Sequence, residues 1–193
     1  MAATGASGAL FTRSLLLLLE RDERVTTVNF IASGNALRVF AEELSIQGRS
    51  NLLQQLLGNK SQKIQQQNID DIGANVASGS YSTNGMIILP CSMGTLARIA
   101  HGFAGNLIER AADVCLKEKR PLVLCTRETP LNRIHIRNMD LAAEAGATIY
   151  PLIPTFYNLP ESFDAMAHQF ACRVLKFLGL EQSDAYVWKG EAR

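Results

Sequence analysis

The stretch PLVLCTRETPLN, residues 121–132, runs an apolar segment straight into Arg127 and Glu128. A cation and a carboxylate fixed together at the mouth of a buried strand can hold an anionic ligand and move a proton beside it; an exposed Arg–Glu pair in a loop would do neither. Three other segments end in the same manner. TGASGAL (residues 4–10) brings two glycines and Ser7, ASGN brings Ser33, and PCSMGTLARIAHG brings Ser92 and Thr95 on either side of Met93 and Gly94. Each has a plainer reading. A bare GxxG serves many turns that need positive φ, Ser33 is a common helix cap, and a doubly capped helix start resembles a phosphate cradle. In an open α/β sheet, however, ligands bind at the carboxyl ends of the strands, where helix N-termini offer free N–H groups. Four such ends on one edge point to an anionic ligand. GASGAL lacks the GxGxxG pattern of a dinucleotide site, so a mononucleotide such as FMN fits better.

The elements that must position these residues are short apolar runs: VTTVNFIA (25–32), GMIILPC (85–91), PLVLC (121–125) and ATIYPLI (147–153). They are unbroken rather than alternating, as expected of parallel strands covered on both faces. Helical patterns over residues 15–21, 36–44, 107–119, 136–145 and 163–178 fall before, between or after them. The alternation predicts an α/β fold, a doubly wound parallel sheet of Rossmann-like or flavodoxin-like type. Residues 46–84, rich in Gln, Asn, Ser and Gly, form an excursion with at most a short helix over 52–57. No repeat or linker divides the chain, so residues 1–193 are expected to make a single domain, with a C-terminal arm from about residue 180.

Composition excludes several classes. The chain has 193 residues, 47% of them hydrophobic, with 19 Lys plus Arg against 18 Asp plus Glu. No overall field recruits nucleic acid or an anionic membrane, so any anion site is local. The run LLLLLE at residues 15–20 is too short to span a bilayer, and no basic region precedes it as in a signal peptide; a cytoplasmic protein is expected. Cys91, Cys115, Cys125 and Cys172 show no CxxC spacing and no His or Cys at a zinc interval, so they read as buried thiols, with no metal site. His101, His135 and His168 are not assigned catalytic roles.

With these residues together, the chain resembles the UbiX-like flavin prenyltransferases, within the homo-oligomeric flavin-containing decarboxylase-type proteins. TGASGA, ILPCSMGTLARIAHG, NLIERAADVCLKEKRPLVLCTRETPLN, FYNLPES and the lone Trp188 carry the resemblance across nearly the whole chain. It implies that the protein joins the dimethylallyl group of dimethylallyl phosphate to N5 and C6 of reduced FMN. The product, prenylated FMN, serves a separate downstream decarboxylase. It further implies that Gly5, Ala6, Ser7, Ser33, Ser92, Met93, Gly94, Thr95 and Arg127 bind FMN. Tyr157 and Arg173 would hold the prenyl phosphate, Arg110, Lys117 and Glu128 would line the same pocket, Glu43 would lie near the reactive edge of the flavin, and Trp188 would belong to the C-terminal arm. Glu43, Glu128 and Ser7 are the catalytic candidates, and Trp188 joins the substrate-binding set. Sites between subunits of a large homo-oligomer, commonly a dodecamer, are implied as well. Two departures stand out: only residues 1–4 precede the glycine turn, and GNALR follows Ser33 where relatives often have a lysine–alanine pair.

Carbon–carbon bond formation from an allylic phosphate needs cations for the phosphate, an acid–base group and an apolar or aromatic wall. Arg110, Lys117, Arg127 and Arg173 supply the first; Arg98 matches no role. On residues alone, Arg110 and Lys117 read equally as a solvated helical face, and Tyr157 as a core aromatic at a strand end. No DDxxD-like cluster is present to hold magnesium against a diphosphate, so a monophosphate and metal-free chemistry are expected. A peptidyl-cysteine or phosphopantothenoylcysteine decarboxylase would usually carry a histidine between the second and third strands and a PASANT-like turn, neither of which is found. The remaining alternative is a non-catalytic flavin-binding partner of a decarboxylase.

Overall fold

A computed structural model of the protein describes residues 1–46, 48 and 50–188. Among them six strands, β1 (Ala2–Ala3), β2 (Val28–Ala32), β3 (Ile64–Gln67), β4 (Met86–Cys91), β5 (Leu122–Thr126) and β6 (Thr148–Ile149), form one sheet in the order β3-β2-β1-β4-β5-β6. Every pairing is parallel. The order reverses between β1 and β4, which opens a crevice at their carboxyl ends.

Seven helices cover the two faces: α1 (Ala9–Arg21), α2 (Gly34–Leu44), α3 (Leu52–Leu57), α4 (Met93–Ala100), α5 (Leu107–Lys117), α6 (Arg133–Glu144) and α7 (Phe163–Lys176). Successive strand residues alternate between the layers. Phe30, Ile87, Leu89, Val123 and Cys125 pack under α1, α2, α3 and α7, whereas Ile31, Met86, Ile88, Leu122 and Leu124 pack under α4, α5 and α6. Burial on both sides is why β2, β4 and β5 read as continuous apolar runs.

The differences from expectation have local causes. The leucine-rich run is only the second half of α1, which begins at Ala9 once Gly8, at φ 134°, has turned the chain out of β1. IQQQ at β3 is a strand that pairs only with β2, and as a polar edge strand it carries no apolar signal. β6 is two residues long, because Pro151 interrupts the ladder. Tyr150 and Leu152 nonetheless donate their N–H groups to Leu124 and Thr126 carbonyls, at 2.9 and 2.8 Å.

Candidate active site

Hydrogen bonds lace the carboxyl ends of four neighbouring strands into one rim. Ser33 N–H donates to Ala3 O (3.0 Å), Thr4 N–H to Pro90 O (3.0 Å), and Arg127 N–H to Cys91 O (3.2 Å). The buried Thr4 hydroxyl bridges β1 and β4, donating to Pro90 O (3.0 Å) and accepting from Ser92 N–H (2.7 Å). A one-residue bulge in β4 between Ile88 and Cys91 offsets this end from β5, which re-aims the Ser92 turn. Gly5, Ala6, Ser7, Ser33, Ser92 and Arg127 are thus held on one rim by backbone geometry. Thr4 was not legible as a site residue, although a threonine directly before a glycine turn is the signal it left.

Three helices point their N-termini at this rim, and they are not alike. At α1, Gly8 N–H donates to Glu43 Oε2 (3.0 Å) and Oε1 (3.2 Å), and Ala9 N–H donates to Glu43 Oε2 (2.7 Å). Glu43, from the last turn of α2, therefore occupies the anion position of α1. This corrects the expectation that the glycine turn offers its N–H groups to a phosphate. Gly5 instead allows close packing, since a Cβ there would collide with the Cβ of Asn35.

The starts of α2 and α4 remain open. Ser33 Oγ accepts from Ala36 N–H (3.1 Å) and Ser92 Oγ from Thr95 N–H (3.3 Å), each capping one donor. The two intervening N–H groups on each helix, of Gly34 and Asn35 and of Met93 and Gly94, have no partner among the described residues. A Cβ on Gly34 or Gly94 would find nothing within 4 Å. Two open, electropositive helix ends beside clear space suit the phosphate of a mononucleotide. Ser92 Oγ also lies 3.0 Å from Thr95 Oγ1, which orients both hydroxyls.

Arg127 and Glu128 are both exposed at the end of β5, and among the described residues neither forms an ion pair. Glu128 Oε1 accepts only from Thr129 N–H (3.0 Å). The surface-pair reading therefore fails, and the cation is available to a ligand.

The other expected substrate residues form two groups of their own. Arg173 Nη1 donates to the Tyr157 hydroxyl (3.4 Å), and the Tyr157 ring meets Trp188 and Tyr186 at 5.4 and 5.5 Å between centroids. Tyr157 is half exposed in the loop after β6, which rules out the core reading. Trp188 docks on it from the arm, whose residues beyond 188 lie outside those described. Arg110 and Lys117 lie on α5. Arg110 donates to Ala77 O (3.0 Å) and pairs with Asp113 (2.7 Å), and Lys117 pairs with Glu118. Among the described residues neither of these cations pairs with Glu128 within one chain. Arg98 pairs with buried Glu109 (3.6 Å), a structural contact.

All four cysteines are buried and unpaired. Burial pushes the Cys91 thiol up to about 12, and burial with the charge of Asp184 does the same to Cys172, so neither is a ready nucleophile.

Residues 1–169 match the flavoprotein family. The chain is 43% identical over 192 residues to the flavin prenyltransferase UbiX of Halalkalibacterium halodurans, covering 98% of this chain and 92% of that protein. Among solved structures it is similar to AnUbiX in complex with FMN and dimethylallyl pyrophosphate, with 40% identity, a TM-score of 0.87 and coverage of 98% and 95% of the two chains. A dodecameric FMN-dependent UbiX-like decarboxylase from Escherichia coli O157:H7 is 38% identical, with a TM-score of 0.84 and coverage of 98% and 100%.

Proposed function

The chain belongs to the flavin prenyltransferases of the flavoprotein family, and on that premise we propose that its rim site joins the dimethylallyl group of a dimethylallyl phosphate to reduced FMN. The observation that carries the site assignment is the pair of open helix ends at α2 and α4 beside an Arg127 that has no acidic partner among the described residues. When bound, the reduced flavin supplies the nucleophilic nitrogen and carbon at which the two new bonds form.

The residues of this chain bind and position. Gly34, Met93 and Gly94 N–H groups, with the hydroxyls of Ser33, Ser92 and Thr95, hold the flavin phosphate. Gly5, Ala6 and Ser7 line the adjoining turn, and Arg127 supplies positive charge at the β5 end. Glu43 fixes that turn by closing α1, which makes it a positioning residue for Ser7. Arg173 and the Tyr157 hydroxyl hold the prenyl phosphate, while Tyr157 and Trp188 offer π-faces to the allylic group. Glu128 accepts and returns the proton that must move as phosphate departs. Guanidinium and ammonium groups take the charge of the leaving phosphate, so a monophosphate needs no metal.

Arg110 and Lys117 join this pocket from a neighbouring subunit. α6 buries only Asn138 and Ala142 and turns Ile134, Ile136 and Leu141 outward, and Ile153, Phe156, Leu159 and Phe163 are exposed as well. Such apolar surface fits self-association into a large ring-built oligomer such as a dodecamer. The chain acts as one flavin-binding domain with a C-terminal arm. Its product, prenylated FMN, goes to a downstream decarboxylase, and a cytoplasmic setting suits reduced flavin and free thiols. No described helix is long and apolar enough to cross a membrane.

The test is to incubate the protein with reduced FMN and dimethylallyl phosphate in the presence of a chelator and to weigh the flavin. A mass increased by one dimethylallyl unit supports the reading, and a flavin mass unchanged both with and without the chelator overturns it.

A further inference from the structure

On α7, away from the rim, His168 and Cys172 are one turn apart, and Asp184 returns from the chain beyond the helix to meet them. His168 Nε2 lies 2.7 Å from Asp184 Oδ2 and 3.5 Å from Cys172 Sγ, and the three ligand atoms lie within 4.8 Å of one another. The helix expected over 163–178 already put His168 and Cys172 on one face, since i and i+4 are neighbours there; what the sequence did not show is the third ligand, which only the returning chain supplies.

We propose that His168, Cys172 and Asp184 bind one zinc-class divalent cation that fastens the C-terminal arm to α7. The geometry separates this from a nucleophilic triad. A Cys–His–Asp relay uses both ring nitrogens, one toward the thiol and the other toward the carboxylate. Here thiol and carboxylate converge on the same nitrogen, as ligands around a common ion do. Tetrahedral bonds of zinc length place ligand atoms roughly 3.3–3.6 Å apart. The Nε2–Sγ separation of 3.5 Å already has that value, the Nε2–Oδ2 separation of 2.7 Å opens by roughly half an ångström, and the Sγ–Oδ2 separation, within 4.8 Å, closes as the exposed Asp184 carboxylate swings toward the sulfur.

The donor set selects the metal. One imidazole nitrogen, one thiolate sulfur and one carboxylate oxygen suit zinc, whereas magnesium and calcium require oxygen ligands. The thiol releases its proton to solvent as the metal bond forms. Water takes the fourth position, because the side of the cluster formed by Asp184 faces solvent.

The backbone sets the third ligand in place beforehand. Gln169, next to His168, donates from Nε2 to Asp184 O (3.1 Å) and accepts Tyr186 N–H at Oε1 (2.7 Å). Asp184 is therefore held by the arm's own docking. The same stretch carries Tyr186 and Trp188 onto Tyr157, so an ion at Asp184 holds the aromatic wall of the prenyl pocket in position. Its role is in ordering the arm, which is compatible with metal-free chemistry at the rim.

Tag-free, chelator-treated protein should be titrated with Zn²⁺ by calorimetry and with Co²⁺ by absorption. One equivalent per chain, with a thiolate-to-cobalt charge-transfer band, is expected. Trp188 is the only tryptophan, so its emission should change on saturation. His168→Gln and the surface change Asp184→Asn should each weaken binding by about 100-fold or more, since loss of even a ligand's partner costs 10–100-fold, and should abolish the emission change. Absence of saturable uptake, a cobalt complex without the sulfur band, or undiminished binding in both variants would overturn the proposal and leave a hydrogen-bonded fastening only. Zinc that displaces bound FMN would contradict it too, because the cluster would then not be separate from the rim.

Discussion

The rim of the sheet and α5 both carry polar residues of the proposed site, yet they are prepared differently. At the rim, the backbone bonds linking Ser33, Thr4, Ser92 and Arg127 fix the groups proposed to face the flavin, and the open donors have no partner among the described residues. On α5, Arg110 and Lys117 are already engaged, with Asp113 and Ala77 O and with Glu118. A rigid strand end can hold a cation unpaired and aimed at a ligand. A helix surface leaves cations to local partners of small net worth, which a neighbouring subunit's phosphate site can displace. On the proposed reading, the flavin half of the site is therefore drawn from one chain, and the prenyl-phosphate half is not.

Among changes at the rim, the largest effect is expected at Glu128. Glu128→Gln keeps the size and much of the hydrogen bonding but removes the titrating proton, and the prenylation rate should fall by roughly 10²-fold or more with FMN affinity retained. Stopped-time mass analysis of the flavin, beside an FMN titration, separates the two. A parent-like rate would return Glu128 to an ordinary loop residue.

Ser92→Asp sharpens the claim about the open helix ends. Aspartate caps a helix as well as serine does, so thermal stability should hold. The added carboxylate should repel the flavin phosphate and weaken FMN binding by roughly 10- to 100-fold, as a like charge at contact distance costs about 1–4 kcal/mol. Unchanged affinity by fluorescence titration would place the phosphate elsewhere.

Glu43→Gln probes the closed end at α1. Losing the anion there should cost about 1 kcal/mol, a fall of roughly 2–4 °C in Tm for a chain of this size. FMN affinity should fall only slightly, because the phosphate lies at α2 and α4. A large gain in FMN affinity on opening α1 would mean that the two kinds of helix end are interchangeable.

How much was legible in the sequence follows from distance along the chain. Ser33, Ser92 and Arg127 each stand directly after an apolar strand, so strand and site residue announce one another locally. Glu43 meets Gly8 across 35 residues and Tyr157 meets Arg173 across 16, contacts that only the folded chain brings about. Residue types alone did not reveal the glutamate's capping role or the hydrogen bond to the tyrosine. β3 escaped for a different reason: an edge strand of glutamines is stabilised by its ladder with β2, and its side chains carry little of the apolar signal that marks a buried strand. His168 and Cys172 stood on one face of an expected helix, but Asp184 meets His168 across 16 residues, by a return of the chain after α7.

The claim that the prenyl-phosphate half is completed between chains is tested most directly by subunit complementation. Arg110→Ala and Arg173→Ala should each abolish prenylation while retaining FMN. If Arg110 of one subunit serves the Arg173 of its neighbour, oligomers co-assembled from equal amounts of the two variants regain about one quarter of the sites by random pairing across the interface. The account predicts that recovery, read as dimethylallyl transfer to FMN per chain. Mixed oligomers as inactive as either parent variant would place both arginines in the same chain's site and contradict it.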